Sequence, residues 1–87
     1  MVAHEAGNSI GRSLGLADAQ RSLLAGQFTQ YLLRIEREAR VPSNSSFAEL
    51  VEGVRRDICQ TLLMNLGDEV AAIADVALST IVPLEIH

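Results

Sequence analysis

Leu24, Phe28, Tyr31, Leu32, Ile35 and Ala39 recur at helical spacing. Residues three and four apart share one face of a helix, so this pattern predicts a helix over residues 18–40. Asp18, which follows Gly15-Leu16-Ala17, is expected to cap its start by accepting backbone N–H bonds. Gly26 weakens it by about 1 kcal/mol relative to alanine. Glu36 and Arg40 form an i,i+4 pair in the favourable order. Upstream, a short helix is expected over residues 8–14, with Gly15 as its left-handed stop.

The cluster Val41-Pro42-Ser43-Asn44-Ser45-Ser46 is the clear loop of the chain. After it, Ser46 and Glu49 have the spacing of a capping box, in which the hydroxyl takes the N3 amide and the carboxylate reaches back to the cap amide. Phe47, Leu50, Val51, Val54, Ile58, Leu62 and Leu66 then form one apolar stripe. This predicts a helix over 46–66, ended by Gly67. Asp68 is expected to cap a last helix over 68–82, with Pro83 as its stop. In that segment Val70, Ile73, Ala74, Ala77 and Ile81 face one way, while Ala71, Ala72, Val76 and Leu78 cover much of the rest. A helix so apolar is either central to a core or half of an interface. The expectation is one all-α domain over 1–87, of three to four helices.

Composition narrows the class. Eighty-seven residues make one small domain, which buries only about 60% of its unfolded surface and has a marginal core. The hydrophobic fraction is 48% and aromatics are 3%, so the core must come from Leu, Ile, Val and Ala, which suits packed helices. A single cysteine, Cys59, cannot form an internal disulfide and accords with a reducing cytoplasm. The opening MVAHEAGNSIGR has neither a basic n-region nor an apolar h-region, so no secretory signal is expected. The nearly apolar run from Val70 to Leu78 is far shorter than the roughly 18–20 residues of a membrane span. A cytoplasmic protein with no membrane association is expected.

The chemistry of an enzyme is hard to place. His4 and His87 stand at opposite ends, with no second ligand at metal spacing. Cys59 lies one residue off the apolar stripe and has no histidine near it in sequence, so an inert thiol is expected. Glu36 and Glu38 point to different sides of a helix. GNSIGRSLG contains glycines but lacks a preceding strand and the Gly-Lys-Ser/Thr of a phosphate loop. No metal, no cofactor and no enzymatic activity are expected.

Net charge is −4, and it is unevenly placed. All seven arginines lie in residues 1–67 with seven acids, whereas residues 68–87 carry Asp68, Glu69, Asp75 and Glu85 and no base. This opposes nucleic-acid binding, which draws on basic surfaces.

One motif nevertheless points toward DNA. Ser46-Phe47-Ala48-Glu49-Leu50-Val51, then Val54-Arg55-Arg56-Asp57-Ile58, then Leu62-Leu63, resembles the linker helix between the two helix-turn-helix units of AraC/XylS-type transcription regulators. Glu69-Val70-Ala71-Ala72-Ile73-Ala74-Asp75 looks like the first helix of that family's second unit. Ile10-Gly11-Arg12-Ser13-Leu14-Gly15-Leu16 looks like the end of the first unit's supporting helix and its turn. The likeness runs without a gap over residues 45–75. It implies a divergent or truncated DNA-binding domain, because residues 24–44 are longer than the family's segment and Val76-Ala77-Leu78-Ser79-Thr80 only loosely suggests the second turn. On this mapping Gln20 and Arg21 begin a recognition helix and contact base edges, while Arg55 and Arg56 are structural or phosphate contacts.

The alternative is a small acidic protein-interaction module: a homodimer, or an antiactivator or secretion chaperone or subunit that masks a basic partner. Its interface residues would be Val70, Ile73, Val76 and Leu78 on the apolar last helix.

Overall fold

A computed structural model describes residues 2–40 and 46–81. It is all-helical over these residues: α1 (Val2–Ser13), α2 (Asp18–Ala39), α3 (Phe47–Leu66) and α4 (Asp68–Thr80). Of the expected loop, only Ser46 lies among the described residues; Pro83 lies outside them.

The first helix begins at Val2 rather than near Asn8, a correction with a steric origin. Gly7 and Gly11 are poor helix formers, but both are buried against α2. A Cβ on Gly7 would stand 2.8 Å from the Ala25 Cα, and one on Gly11 would stand 2.7 Å from the Arg21 Cγ. At Gly7 the α1 backbone therefore lies so close to the α2 backbone that a larger residue would force a shift, whereas at Gly11 the nearest neighbour is a side chain. Gly15 is the left-handed stop expected, with φ 69°. Its N–H donates to the Arg12 carbonyl at 3.1 Å and the Leu16 N–H donates to the Gly11 carbonyl at 3.0 Å, the paired bonds of a Schellman turn.

Asp18 does not cap α2. Ala17 holds the cap position with extended backbone, φ −63° and ψ 158°, and its N–H donates to the Gln20 Oε1 at 3.1 Å. Asp18 is the first helical residue, where a carboxylate still complements the positive end of the helix. Ser46 does cap α3: its Oγ accepts the Glu49 N–H at 3.2 Å and donates to the Glu49 Oε1 at 3.2 Å. Gly67 ends α3 and also caps α4, with φ 94° and ψ 172°. Its N–H donates to the Leu63 carbonyl at 3.1 Å and its carbonyl accepts the Ala71 N–H at 3.1 Å. Asp68 is thus again one residue inside the helix it was expected to cap. The last helix closes on Ile81, whose N–H reaches the Ala77 and Leu78 carbonyls.

Packing follows chain order, α1 on α2, α2 on α3 and α3 on α4. Leu24, Phe28, Tyr31 and Ile35 of α2 meet Val54, Ile58 and Leu62 of α3 in one cluster, closed by Val70, Ala71, Ala74 and Leu78 of α4. The α2 and α3 stripes are the predicted ones at their centres, while Leu32, Leu50, Val51 and Leu66 are only partly buried and Ala39 and Phe47 are exposed. The α4 face is rotated from the expected one: Ala71 and Leu78 point inward, and Ile73 is only half-buried. A helix apolar on nearly every side offers no period to choose a face by, and α3 makes the choice through the single-residue joint.

Candidate functional site: the cleft between the last two helices

The four residues expected at DNA do not converge as free groups. Gln20 is exposed, but its side chain closes the α2 cap. Arg21 donates to the Asp18 carboxylate at 2.9 Å, and its alkyl stem lies over Gly11. Arg55 donates from Nε to the Asp75 Oδ1 at 3.1 Å, across from α3 to α4. Arg56 donates to Glu52 one turn back on α3 at 3.4 Å. Gln20 and Arg21 belong to the first helix pair, and Arg55 and Arg56 to the second.

The four residues expected at an interface divide as well. Val70 and Leu78 face the chain's own core, at 6% and 0% exposure, and neither lines the cleft between α3 and α4. Ile73 is half-buried. Val76, at 66%, is the one of the four that is exposed.

What the structure does assemble is an open cleft of about 420 Å³ between α3 and α4. Its apolar lining is Leu63, Ala71 and Ala72, and its charged lining is Glu52, Arg55, Arg56 and Asp75. Cys59 and Gln60 complete it. Asp75 is the centre that sequence reasoning missed: its Oδ1 accepts from the Arg55 guanidinium and, at 3.7 Å, from the Cys59 thiol. The signal was present, since Asp75 is the lone charge in the run from Val70 to Leu78.

Electrostatics in the cleft favour uncharged sulfur. Burial, followed by the neighbouring Asp75 carboxylate, pushes the Cys59 thiol up to about 11, with Arg55 opposing. Below that pH the thiol is a hydrogen-bond donor and not a thiolate, so it lacks the form that nucleophilic or metal-binding cysteines use. Burial also raises the Tyr31 phenol, against the pull of Arg55. Among the described residues no three His, Cys, Asp or Glu side chains gather where they could hold a metal. Among the same residues no helix is long and apolar enough to cross a membrane.

A second interhelical pair lies away from the cleft, where Arg34 of α2 donates to Asp57 of α3 at 3.1 Å and also contacts Glu38. Among the described residues, only Arg12 and Arg37 of the seven arginines have no carboxylate partner.

No family model, curated protein or solved structure matches this chain.

Proposed function

We propose that this chain is a small helical protein-interaction module that docks partners through the outer side of the α3–α4 pair. The observation that carries this is the cleft itself: it sets Leu63, Ala71 and Ala72 beside four charged side chains in an open groove. Small apolar residues leave room for an incoming side chain, and flanking charges fix its orientation. By contrast, Arg21, Arg55 and Arg56 each already have a carboxylate of the same chain in contact. In a domain of net charge −4, phosphate contact would have to displace those pairs without a basic field to help it.

The test is amide shift perturbation with labelled protein. Three helical peptides, cationic, anionic and neutral, are titrated in turn, and the protein is also diluted alone. Shifts are expected to gather on Leu63, Ala72, Asp75 and Val76 in at least one titration. If no titration and no dilution moves these amides, the cleft is not a docking surface.

DNA binding has one observation in its favour. The segment Leu14–Ala17 joins α1 to α2 as a four-residue turn with a left-handed glycine, the kind of connection a helix-turn-helix uses. Fluorescence anisotropy of mixed-sequence duplex at about 50 mM and about 200 mM salt separates the two functions. Salt-sensitive binding weakened by Arg21→Ala would favour DNA over docking.

A further inference from the structure

We infer that the occupant of this docking face is a cationic amphipathic helix of another protein, which rests on the docking function proposed above. Two carboxylates and two guanidiniums line the cleft, Glu52 and Asp75 against Arg55 and Arg56, and two more carboxylates, Asp68 and Glu69, stand beside it in the first turn of α4. The ion pairs cancel Arg55 with Asp75 and Arg56 with Glu52. Asp68 and Glu69 remain, both exposed and neither in an ion pair among the described residues. Asp68 precedes Ala71 and Ala72 by three and four residues, so it stands one helical turn from them on the same side. Val76 follows Ala72 by four and extends the apolar ridge in the other direction, 66% exposed. The face thus runs from an acidic end, over a floor of small apolar residues, to an exposed valine.

This pattern selects among occupants by charge. A second copy pairing about a two-fold would present the same face, with its surplus of two carboxylates, to its own image. Both chains also carry net charge −4, so their approach is repelled at range. Nucleic acid meets the same repulsion. A helix with lysine or arginine on one side and leucine-sized side chains on the other satisfies the free carboxylates and fills the space over Ala71 and Ala72.

The experiment uses the whole chain and two fluorescent peptide probes: an amphipathic leucine–lysine helix and its leucine–glutamate counterpart. The leucine–lysine peptide is expected to bind, with an affinity that falls between about 50 mM and about 200 mM salt. The leucine–glutamate peptide is expected to bind at least about tenfold more weakly. Asp68→Lys combined with Glu69→Lys is expected to reverse that order. Asp68→Asn with Glu69→Gln, which disturbs the helix start less, is expected to reduce it. Equal binding of the two peptides, or a charge preference untouched in both variants, overturns the cationic partner while leaving docking intact. Self-association on concentration, with neither peptide bound, does the same. Silence in every titration and on dilution overturns the docking function as well.

Discussion

Substituting alanine for glycine should stabilise this protein at two helical positions and destabilise it at another, and the difference is set by space alone. In a helix interior, alanine is favoured over glycine by about 0.8–1 kcal/mol. At Gly26 of α2 and Gly53 of α3, an added Cβ would meet nothing within 4 Å beyond the helix's own backbone. Gly26→Ala and Gly53→Ala should therefore each gain about 0.5–1 kcal/mol. Gly7 sits inside α1 and gains the same propensity. Its Cβ, however, would lie 2.8 Å from the Ala25 Cα, 3.1 Å from the Ala25 N and 3.1 Å from the Leu24 O. These are backbone atoms of a helix, which cannot swing aside as a side chain can. Overpacking of this kind costs about 1–3 kcal/mol. The net for Gly7→Ala is then a loss of about 1 kcal/mol, or about 4–8 °C in Tm for a domain this size. Gly11→Ala should fall between, because the contact is with the Arg21 side chain, which can move at the expense of its pair with Asp18. Thermal and urea unfolding followed by circular dichroism measures all four variants. If Gly7→Ala gains as much as Gly26→Ala, α1 does not approach α2 as closely as described.

Four further outcomes test the rest of the structure. Leu62, fully buried where α3 meets the core, should cost about 2–5 kcal/mol as Leu62→Ala, read from the urea midpoint. Ser46→Ala should cost about 1 kcal/mol through loss of the α3 cap, by the same assay. The half-exposed Arg55–Asp75 pair should show a coupling of about 0.2–1 kcal/mol in a double-mutant cycle, shrinking in high salt; a coupling of zero at low salt would mean the two groups do not meet. The Cys59 thiol is raised from 9.0 to about 11 by folding, so the folded state favours the protonated form. That stability is complete below the unfolded value and is lost as pH rises from about 9 toward 11. Cys59→Ser should flatten part of this alkaline decline, and Asp75→Asn should lower the pH at which the thiolate absorbance appears; an unmoved absorbance would remove Asp75 from the thiol's surroundings.

The helices were legible where one face alone is apolar. The α2 stripe of Leu24, Phe28, Tyr31 and Ile35, and the α3 stripe of Val54, Ile58 and Leu62, are both periodic in the sequence and buried in the fold. The capping hydroxyl of Ser46 and the left-handed Gly15 were equally plain, because each residue type has few other uses at such a boundary. Failures came where the local signal was neutral. Nothing in Val2–Gly7 announces a helix, since its contact is made by the absence of a side chain rather than by a large one. The α4 face escaped because its apolar residues surround the axis. Both aspartates expected as caps stand one residue too late, since extended backbone at Ala17 and the turn at Gly67 placed the boundaries earlier. At the cleft, the family resemblance offers Arg55 and Arg56 as structural or phosphate contacts, but their partners Asp75 and Glu52 decide what their charge can do. Asp75 lies twenty residues from Arg55 along the chain, a separation that local spacing rules do not reach.

A joint of one residue between α3 and α4 has a consequence for how this protein can change. Successive residues of a helix advance by about 100° about its axis. Adding or deleting one residue within the first turn of α4 would therefore turn every later residue of that helix by that amount about its axis. Ala74 and Leu78 would leave the core, and Asp75 would leave Arg55 and Cys59. Core and cleft are in this sense set by a single phase angle, so a length change in the first turn of α4 that spoils one must spoil the other.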